Sequence, residues 1–254
     1  MAAIVTLLSD FGTRDTYVAE MKGVLLSRSK ATLVDLSHHV PAYSIRWGSF
    51  LLWRAYASFP KGTWHLAVVD PGVGTGRRAI YVSVGPHHFV GPDNGLLTWA
   101  VRDAERRYRV KAKAFQIDVD EGTKPTFHGR DIFAPFIAKR LQGTSNKLRL
   151  LKEIVGDGFP KVQPVEGGHK GEVIGVDHFG NIVTSIPFEG TKSGQARIKD
   201  KMTLRIADNY LSIPPGNAAL IRGSHGLWEI SCRMGSAAEM LRLVPGDPVA
   251  FIAL

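Results

Sequence analysis

HLAVVDPGVGTGRR, His65 to Arg78, decides how this chain is read: an apolar run stops at an acid, turns through glycines and ends on two arginines. His65 to Val69 has the composition of a buried strand, and Asp70 stands where that strand stops. In open α/β sheets, ligands bind at the carboxyl ends of the strands. Pro71, Gly72, Gly74 and Gly76 then allow the backbone to fold back and bring Arg77 toward Asp70. A strand-end acid facing an arginine is a candidate active-site core, and the plainer alternative is a tight hairpin closed by a surface Asp70–Arg77 salt bridge. Two nucleotide-binding motifs are excluded. A dinucleotide fingerprint opens a helix, whereas this glycine run is followed by Ala79 to Val84, a β-branched alternating strand pattern. No Gly-Lys-Ser or Gly-Lys-Thr of a P-loop is present.

The same grammar recurs upstream. Ile4 to Leu8 is an apolar run ending in Ser9-Asp10-Phe11-Gly12, so a second acid reaches a strand's carboxyl end, with Asp15 and Tyr17 just beyond. Tyr17 to Ser27 places Val18, Met21, Val24 and Leu25 at helical spacing, and Thr32 to Leu36 returns as a strand. This β-α-β unit implies a parallel sheet. Ser44 to Phe59 reads as a second amphipathic helix before the strand that delivers Asp70. His38 and His39 stand near Asp35, yet adjacent histidines on an extended chain point in opposite directions and no third ligand sits at a metal-binding spacing. They read as loop or core residues.

Downstream, Phe89 to Gly95 is a short strand ending in a turn, where Asp93 and Asn94 serve either chemistry or Asx turns. Leu96 to Val101 reads as a short helix and Lys111 to Val119 as a strand. Thr126-Phe127-His128-Gly129-Arg130-Asp131 leads into an amphipathic helix, Ile132 to Leu141. A histidine just ahead of a helix N-terminus is held neutral by the helix dipole and is able to accept a proton, the alternative being a structural loop histidine.

Gly143 to Gly168 is polar and punctuated by glycine and proline, which marks a linker and a domain boundary. Beyond it come short alternating runs at Lys170 to Asp177, Asn181 to Ile186, Ala196 to Ile206, Ala218 to Arg222, Leu227 to Ser231 and Pro248 to Ile252. The expected class is α/β: an N-terminal α/β domain over residues 1–160 with a mostly parallel sheet, plus a smaller C-terminal all-β barrel-like domain over 169–254.

Composition narrows the function classes. The 254 residues are 44% hydrophobic, enough for real cores. No apolar run approaches the roughly 20 residues of a membrane span, and the start of the chain lacks a basic signal-peptide region, so it reads as cytoplasmic. Cys232 is the one cysteine and leaves no intrachain disulfide or multi-cysteine metal site. The net charge of +9 raises nucleic-acid binding, but the basic residues are scattered and no aromatic-interleaved signature accompanies them. Nucleic acid is not expected as a partner.

Taken together and in order, SDFG (Ser9 to Gly12), DPGVGTGRR (Asp70 to Arg78), GPDNG (Gly91 to Gly95), FHGRDIFAP (Phe127 to Pro135), DHFGN (Asp177 to Asn181) and GSHGLWEIS (Gly223 to Ser231) resemble the S-adenosyl-L-methionine hydroxide adenosyltransferases, relatives of fluorinase and chlorinase. The resemblance implies a homotrimer with active sites between one subunit's N-terminal domain and a neighbour's C-terminal domain. It implies a catalytic triad of Asp70, Arg77 and His128. It assigns Asp10 to the ribose hydroxyls, with Asp15 nearby and Tyr43 packed on the sugar. It assigns Asp177 and Ser224 to methionine, and Phe179 and Asn181 to adenine. Arg233, Ser236 and Ala237 approximate the adenine loop, and His225 replaces an arginine of the halogenases.

The implied reaction is attack by water or hydroxide at ribose C5′ of S-adenosyl-L-methionine, giving adenosine and methionine. Nucleophile and sulfonium charges cancel at the transition state, so a dry pocket favours the step. Arg77 suits the holding of hydroxide, and His128 or the coupled triad suits its deprotonation better than an arginine-paired Asp70. No cofactor or metal is required. A halogenase is disfavoured because a halide calls for neutral donors rather than a charged cluster. A non-catalytic module that binds S-adenosyl-L-methionine or nucleic acid is the alternative from a different class.

Overall fold

The computed structural model describes residues 2–120, 122–144, 148–156, 159–188, 195–198 and 202–252. The chain divides into two compact units, Met1–Gly158 and Phe159–Leu254.

The first unit begins with β1 (Ile4–Ser9), α1 (Tyr17–Arg28) and β2 (Thr32–Ser37), followed by α2 (Ile45–Tyr56) and β3 (Trp64–Val68). It continues through β4 (Ala79–Val84), β5 (His87–Pro92), α3 (Thr98–Tyr108), β6 (Lys113–Ile117), α4 (Ala134–Leu141) and β7 (Leu148–Leu151). The sheet order is β2-β1-β3-β5-β4-β6-β7. β1 pairs in parallel with β2 and β3, and β3 in parallel with β5, while β4 runs antiparallel to β5 and β6, and β7 antiparallel to β6. β2, β1, β3, β5 and β6 therefore share one direction, the mostly parallel sheet expected from the sequence.

The reversal has a local cause. The glycine loop after β3 is too short for the helical crossover that a parallel neighbour needs. The chain instead returns as β4, and a tight Gly85-Pro86 turn inserts β5 between β4 and β3. Asp70 is thereby left at the carboxyl edge of a sheet centre buried on both faces.

Alternate residues face opposite helix layers. Val5, Leu7, Leu66, Val68 and Val90 pack with Met21 and Leu25 of α1, Ile137 of α4 and Phe133 just before α4. On the other face, beneath α2 and α3, lies a chain of hydrogen bonds. Thr6 Oγ1 meets His65 Nδ1 at 2.8 Å, His65 Nε2 meets His87 Nδ1 at 3.3 Å, and His87 Nε2 meets the Tyr108 hydroxyl at 3.0 Å. His88 stacks on Trp64 at 4.4 Å between ring centroids.

Two expectations change here. The helix read at Leu96 to Val101 starts at Thr98 and runs on to Tyr108, its charged half held by Arg102–Glu105 and Arg106–Asp103 pairs at i,i+3 spacing. The segment read as linker contains β7, a short edge strand that pairs with β6 and carries Arg149. Within that segment residues 145–147, Asp157 and Gly158 lie outside the described residues.

The second unit comprises β8 (Gln163–Val165), β9 (Gly168–Val176), β10 (Ile182–Pro187), β11 (Gln195–Ile198), β12 (Met202–Arg205), β13 (Ala218–Arg222), β14 (Leu227–Cys232), α5 (Ala237–Leu241) and β15 (Pro248–Ile252). Its antiparallel order is β12-β11-β15-β9-β10-β14-β13, with β8 on β9. The chain just after β12 meets β13 where Ala207 N–H donates to Leu220 O at 2.8 Å, so the sheet nearly closes into a barrel. Trp228 stacked on Phe251 fills its core with Ile186 and Val249. The alternating run Ala196 to Ile206 falls on the antiparallel pair β11 and β12, and its residues 199–201 lie outside the described residues.

Candidate active site

Asp70 follows the end of β3, and successive turns bring Arg77 back to it. Val73 N–H donates to Asp70 O at 3.2 Å, and the Thr75 hydroxyl donates to Gly72 O at 2.7 Å. Gly74 is required by two constraints: its φ is +76°, and a Cβ there would lie 2.6 Å from Pro125 O. Only a glycine lets this loop press against the segment that carries His128.

Arg77 bridges the cluster. Its Nε donates to Asp70 Oδ1 and Oδ2 at 2.9 and 3.0 Å, its Nη2 donates to Asp70 Oδ2, and the same Nη2 donates to His128 Nδ1 at 2.8 Å. Its guanidinium carbon lies 5.4 Å from the centroid of the Phe133 ring. The Asp70 and Arg77 side chains are 5% and 10% exposed, which rules out the surface salt bridge of the plainer reading.

His128 is 8% exposed. Arginine only donates, so His128 Nδ1 is the acceptor and the neutral ring carries its hydrogen on Nε2. Burial, and then the charge of Arg77, hold the imidazole below its ordinary pKa, with Asp70 and Asp131 pulling less strongly the other way. The helix itself starts earlier than expected, as a π turn over Gly129–Phe133 in which Ala134 N–H bonds Gly129 O. Such turns are frequent at functional sites. Because the Nδ1 lone pair is occupied by Arg77, a proton reaches it only if that bond is released. The three side chains form one hydrogen-bonded unit, so His128 is not a lone imidazole.

The GPDNG turn braces this loop. Asn94 Nδ2 donates to Val69 O at 2.9 Å, directly before Asp70, and Asn94 Oδ1 accepts from Leu96 N–H at 3.2 Å in an Asx turn. Asp93 is buried, takes Arg78 Nε at 2.6 Å and accepts Val155 N–H at 2.7 Å, so Arg78 is held apart from the triad. Of the two, Asn94 makes the Asx turn, while Asp93 ties Arg78 to the backbone of Val155.

At the end of β1, Asp10 Oδ2 accepts the Tyr43 backbone N–H at 2.9 Å. Tyr43 is 72% exposed and has φ of +66°, a left-handed conformation unusual for an aromatic residue. Asp15 is exposed ahead of α1. Sequence reasoning missed what joins this group to the triad. Phe11, next to Asp10, packs against Phe127, next to His128, at 5.7 Å, and Tyr17 packs on Phe127 at 5.2 Å. Arg130 covers Phe127 at 5.0 Å and pairs with Glu20 and Asp131. A phenylalanine adjoining the functional polar residue in both SDFG and TFHG is the signal that could have suggested it.

The second unit gathers most of its expected residues around one loop. Asp177 Oδ1 accepts from Phe179 N–H and Asn181 N–H, and Oδ2 accepts from Asn181 Nδ2, all at 2.9 Å, so its own loop occupies the carboxylate. Phe179 is exposed and Asn181 buried. Gly180 O accepts Ala238 N–H at 3.1 Å, which sets Phe179 and Asn181 beside the start of α5. There Ser236 caps the helix, and the Ala237 methyl lies in the core, leaving its backbone toward the loop. Arg233 is half-buried in the preceding turn. Ser224 is exposed on the Gly223–Gly226 turn, apart from that loop in sequence. His225 faces inward, with Nδ1 accepting Leu227 N–H at 3.2 Å and Nε2 donating to Glu229 Oε1 at 2.7 Å.

Residues 5–149 match the family model for the SAM hydroxide adenosyltransferase N-terminal domain, and residues 171–250 that for the C-terminal domain. The chain is 36% identical to the (R)-S-adenosyl-L-methionine hydrolase of Thermus thermophilus, covering 98% of this chain and 99% of that one. It is 32% identical to the protein of the same name from Methanocaldococcus jannaschii, covering 98% and 95% of the two chains. A fluorinase from an Actinoplanes species is 28% identical over 72% of this chain and 71% of its own. Among solved structures, an uncharacterized conserved protein from Thermotoga maritima superposes with a TM-score of 0.85 at 30% identity, covering 98% and 99%.

Proposed function

The chain belongs to the SAM hydroxide adenosyltransferase family, and on that premise we propose that it is a hydrolase converting S-adenosyl-L-methionine and water to adenosine and L-methionine. The relatives' name specifies the R configuration at sulfur, and we extend that preference to this chain. The observation that carries the reading is the buried Arg77 bridging Asp70 and a neutral His128.

A water oxygen bonds to ribose C5′ as the C5′–sulfur bond breaks. The bonding pair leaves with sulfur, so methionine departs as a neutral thioether, and the water proton passes through the triad to solvent. Arg77 stabilises the developing hydroxide, with Asp70 fixing the guanidinium. Neutral His128 takes the water proton at Nδ1 when Arg77 turns to the nucleophile and frees that nitrogen, and passes a proton on from Nε2 to solvent. Holding water in line with the C5′–sulfur bond supplies much of the acceleration, about 7 to 11 kcal/mol where such positioning is most favourable.

Asp10, Asp15 and Tyr43 grip the sugar in this proposal. Asp177, Phe179, Asn181, Ser224, Arg233 and Ala237 come from a neighbouring subunit of a homotrimer to hold adenine and methionine, several of them through backbone groups. In this proposal the triad and the substrate's own sulfonium leaving group supply the chemistry, and no cofactor or metal enters it. Among the described residues no helix is long and apolar enough to cross a membrane. A cytoplasmic location is supported by cysteine usage that asks for no oxidising compartment.

The test is incubation with the R and S epimers of S-adenosyl-L-methionine in EDTA, with chloride or fluoride added in parallel. Adenosine and methionine in equal amounts, faster from the R epimer, and a trimer by light scattering are expected. A 5′-halo-adenosine as main product, a stable complex without turnover, or a fully active monomer would each overturn the corresponding part.

A further inference from the structure

We infer that His38 is a positioning residue for the ribose end of this site. It is 3% exposed, sits just past β2 and makes no contact with the triad's hydrogen bonds, yet it fastens both flanks of Asp10. On one flank, its Nδ1 meets Ser9 Oγ at 2.7 Å. On the other, its carbonyl accepts Gly12 N–H at 2.7 Å, while Val40 N–H reaches Ser9 O at 3.4 Å.

The hydrogen bonds define which way each group faces. Phe11 N–H approaches Ser9 Oγ at 3.4 Å, which leaves the hydroxyl hydrogen for His38 Nδ1. The ring then carries its own hydrogen on Nε2, 3.1 Å from Asp35 Oδ1, and Lys22 Nζ holds Asp35 Oδ2 at 2.6 Å. Burial favours this neutral ring over its charged form.

The chain beyond His38 closes the circuit. Residues 39–43 lead to Tyr43, whose N–H is held by the same Asp10 carboxylate in a left-handed conformation. Asp10 and Tyr43, the two groups proposed to meet the sugar, thus hang from one buried residue through two short stretches of backbone, its imidazole holding Ser9 and its carbonyl holding Gly12. Loosening it lets the Asp10 carboxylate shift and releases Tyr43 toward ordinary backbone angles. The proton chemistry at Asp70, Arg77 and His128 is untouched. The inference rests on the proposed hydrolase reading and assigns within it a residue that sets affinity rather than rate.

The experiment compares the wild type with His38→Ala, His38→Asn, Ser9→Ala and the His38→Ala/Ser9→Ala double variant. It measures kcat and KM for S-adenosyl-L-methionine and, without turnover, the Kd of adenosine by calorimetry. His38→Ala should raise both KM and the adenosine Kd about tenfold while kcat stays within about threefold. His38→Asn keeps a polar atom at the Nδ1 position and should restore both constants to within about threefold of wild type. The double variant should bind no more weakly than His38→Ala, because the two side chains share one bond. Should His38→Ala not fold, Ser9→Ala carries the test with the same direction of effect. Unchanged adenosine affinity in these variants, or a fall in kcat with KM unchanged, would overturn the inference while an active wild type leaves the hydrolase reading standing. A wild type that forms no adenosine would overturn both.

Discussion

Arg77 donates to Asp70 through two nitrogens and shares one of them with His128, so none of the three side chains acts alone. Asp70→Ala, Arg77→Ala and His128→Ala should each lower kcat by roughly 10²-fold or more with little change in KM, and pairs of these changes should fall far short of additive. Asp10→Ala should instead raise KM more than it lowers kcat, since it removes both the sugar contact and the hold on Tyr43. Adenosine release measured from pH 6 to 9 decides this, and wild-type kcat in His128→Ala would remove the triad assignment. The acids at strand ends were readable from sequence because apolar runs stop at them abruptly. The bond from Tyr43 N–H to Asp10 was not, because it depends on a left-handed backbone that no side-chain pattern announces.

At the scale of elements, the site is made where two loops touch, and Gly74 is the point of contact. Gly74→Ala combines a positive φ with a Cβ driven against the Pro125 carbonyl, whereas Gly76→Ala meets open space. Gly74→Ala should cost about 1–3 kcal/mol, move the melting temperature down by several degrees and lower kcat at least about tenfold. Gly76→Ala should stay close to wild type, and identical behaviour of the two in a thermal melt and an adenosine-release assay would show that the close approach does not matter. The long periodic elements were legible because each buries a distinct face. β7 was not, being a four-residue edge strand inside a polar, glycine- and proline-punctuated segment, and the last turns of α3 were hidden because their apolar period gives way to charged pairs. The π turn after His128 escaped too, since one extra residue in a helix leaves no compositional trace.

For the whole molecule, the shift from helix-and-strand alternation to short strands broken by glycines was enough to give the α/β class with an antiparallel barrel-like second unit. The order of strands was not visible, because the β4–β5 insertion depends on which gap the returning chain fills rather than on any local pattern. Thr6, His65, His87 and Tyr108 beneath α2 and α3, with His88 on the opposite face, carry a different consequence. Burial holds His65 down to about 3 and His88 to about 4, and lowers His87 as well, all from an ordinary value of 6.5. Above that value neither the folded nor the unfolded chain binds a proton at these rings, and they add no pH dependence. Below it the unfolded chain takes up protons that the folded one refuses, so stability falls as pH falls, by roughly 1 kcal/mol per pH unit for each ring fully excluded from protonation. Urea unfolding at pH 7.5, 6.0 and 5.0, above the range where carboxylates dominate, should show this decline and should show it reduced in His65→Asn. A flat profile would deny it. The sheet's own histidines, together with the lowered His128 of the triad, thus make the fold itself sensitive to mild acid.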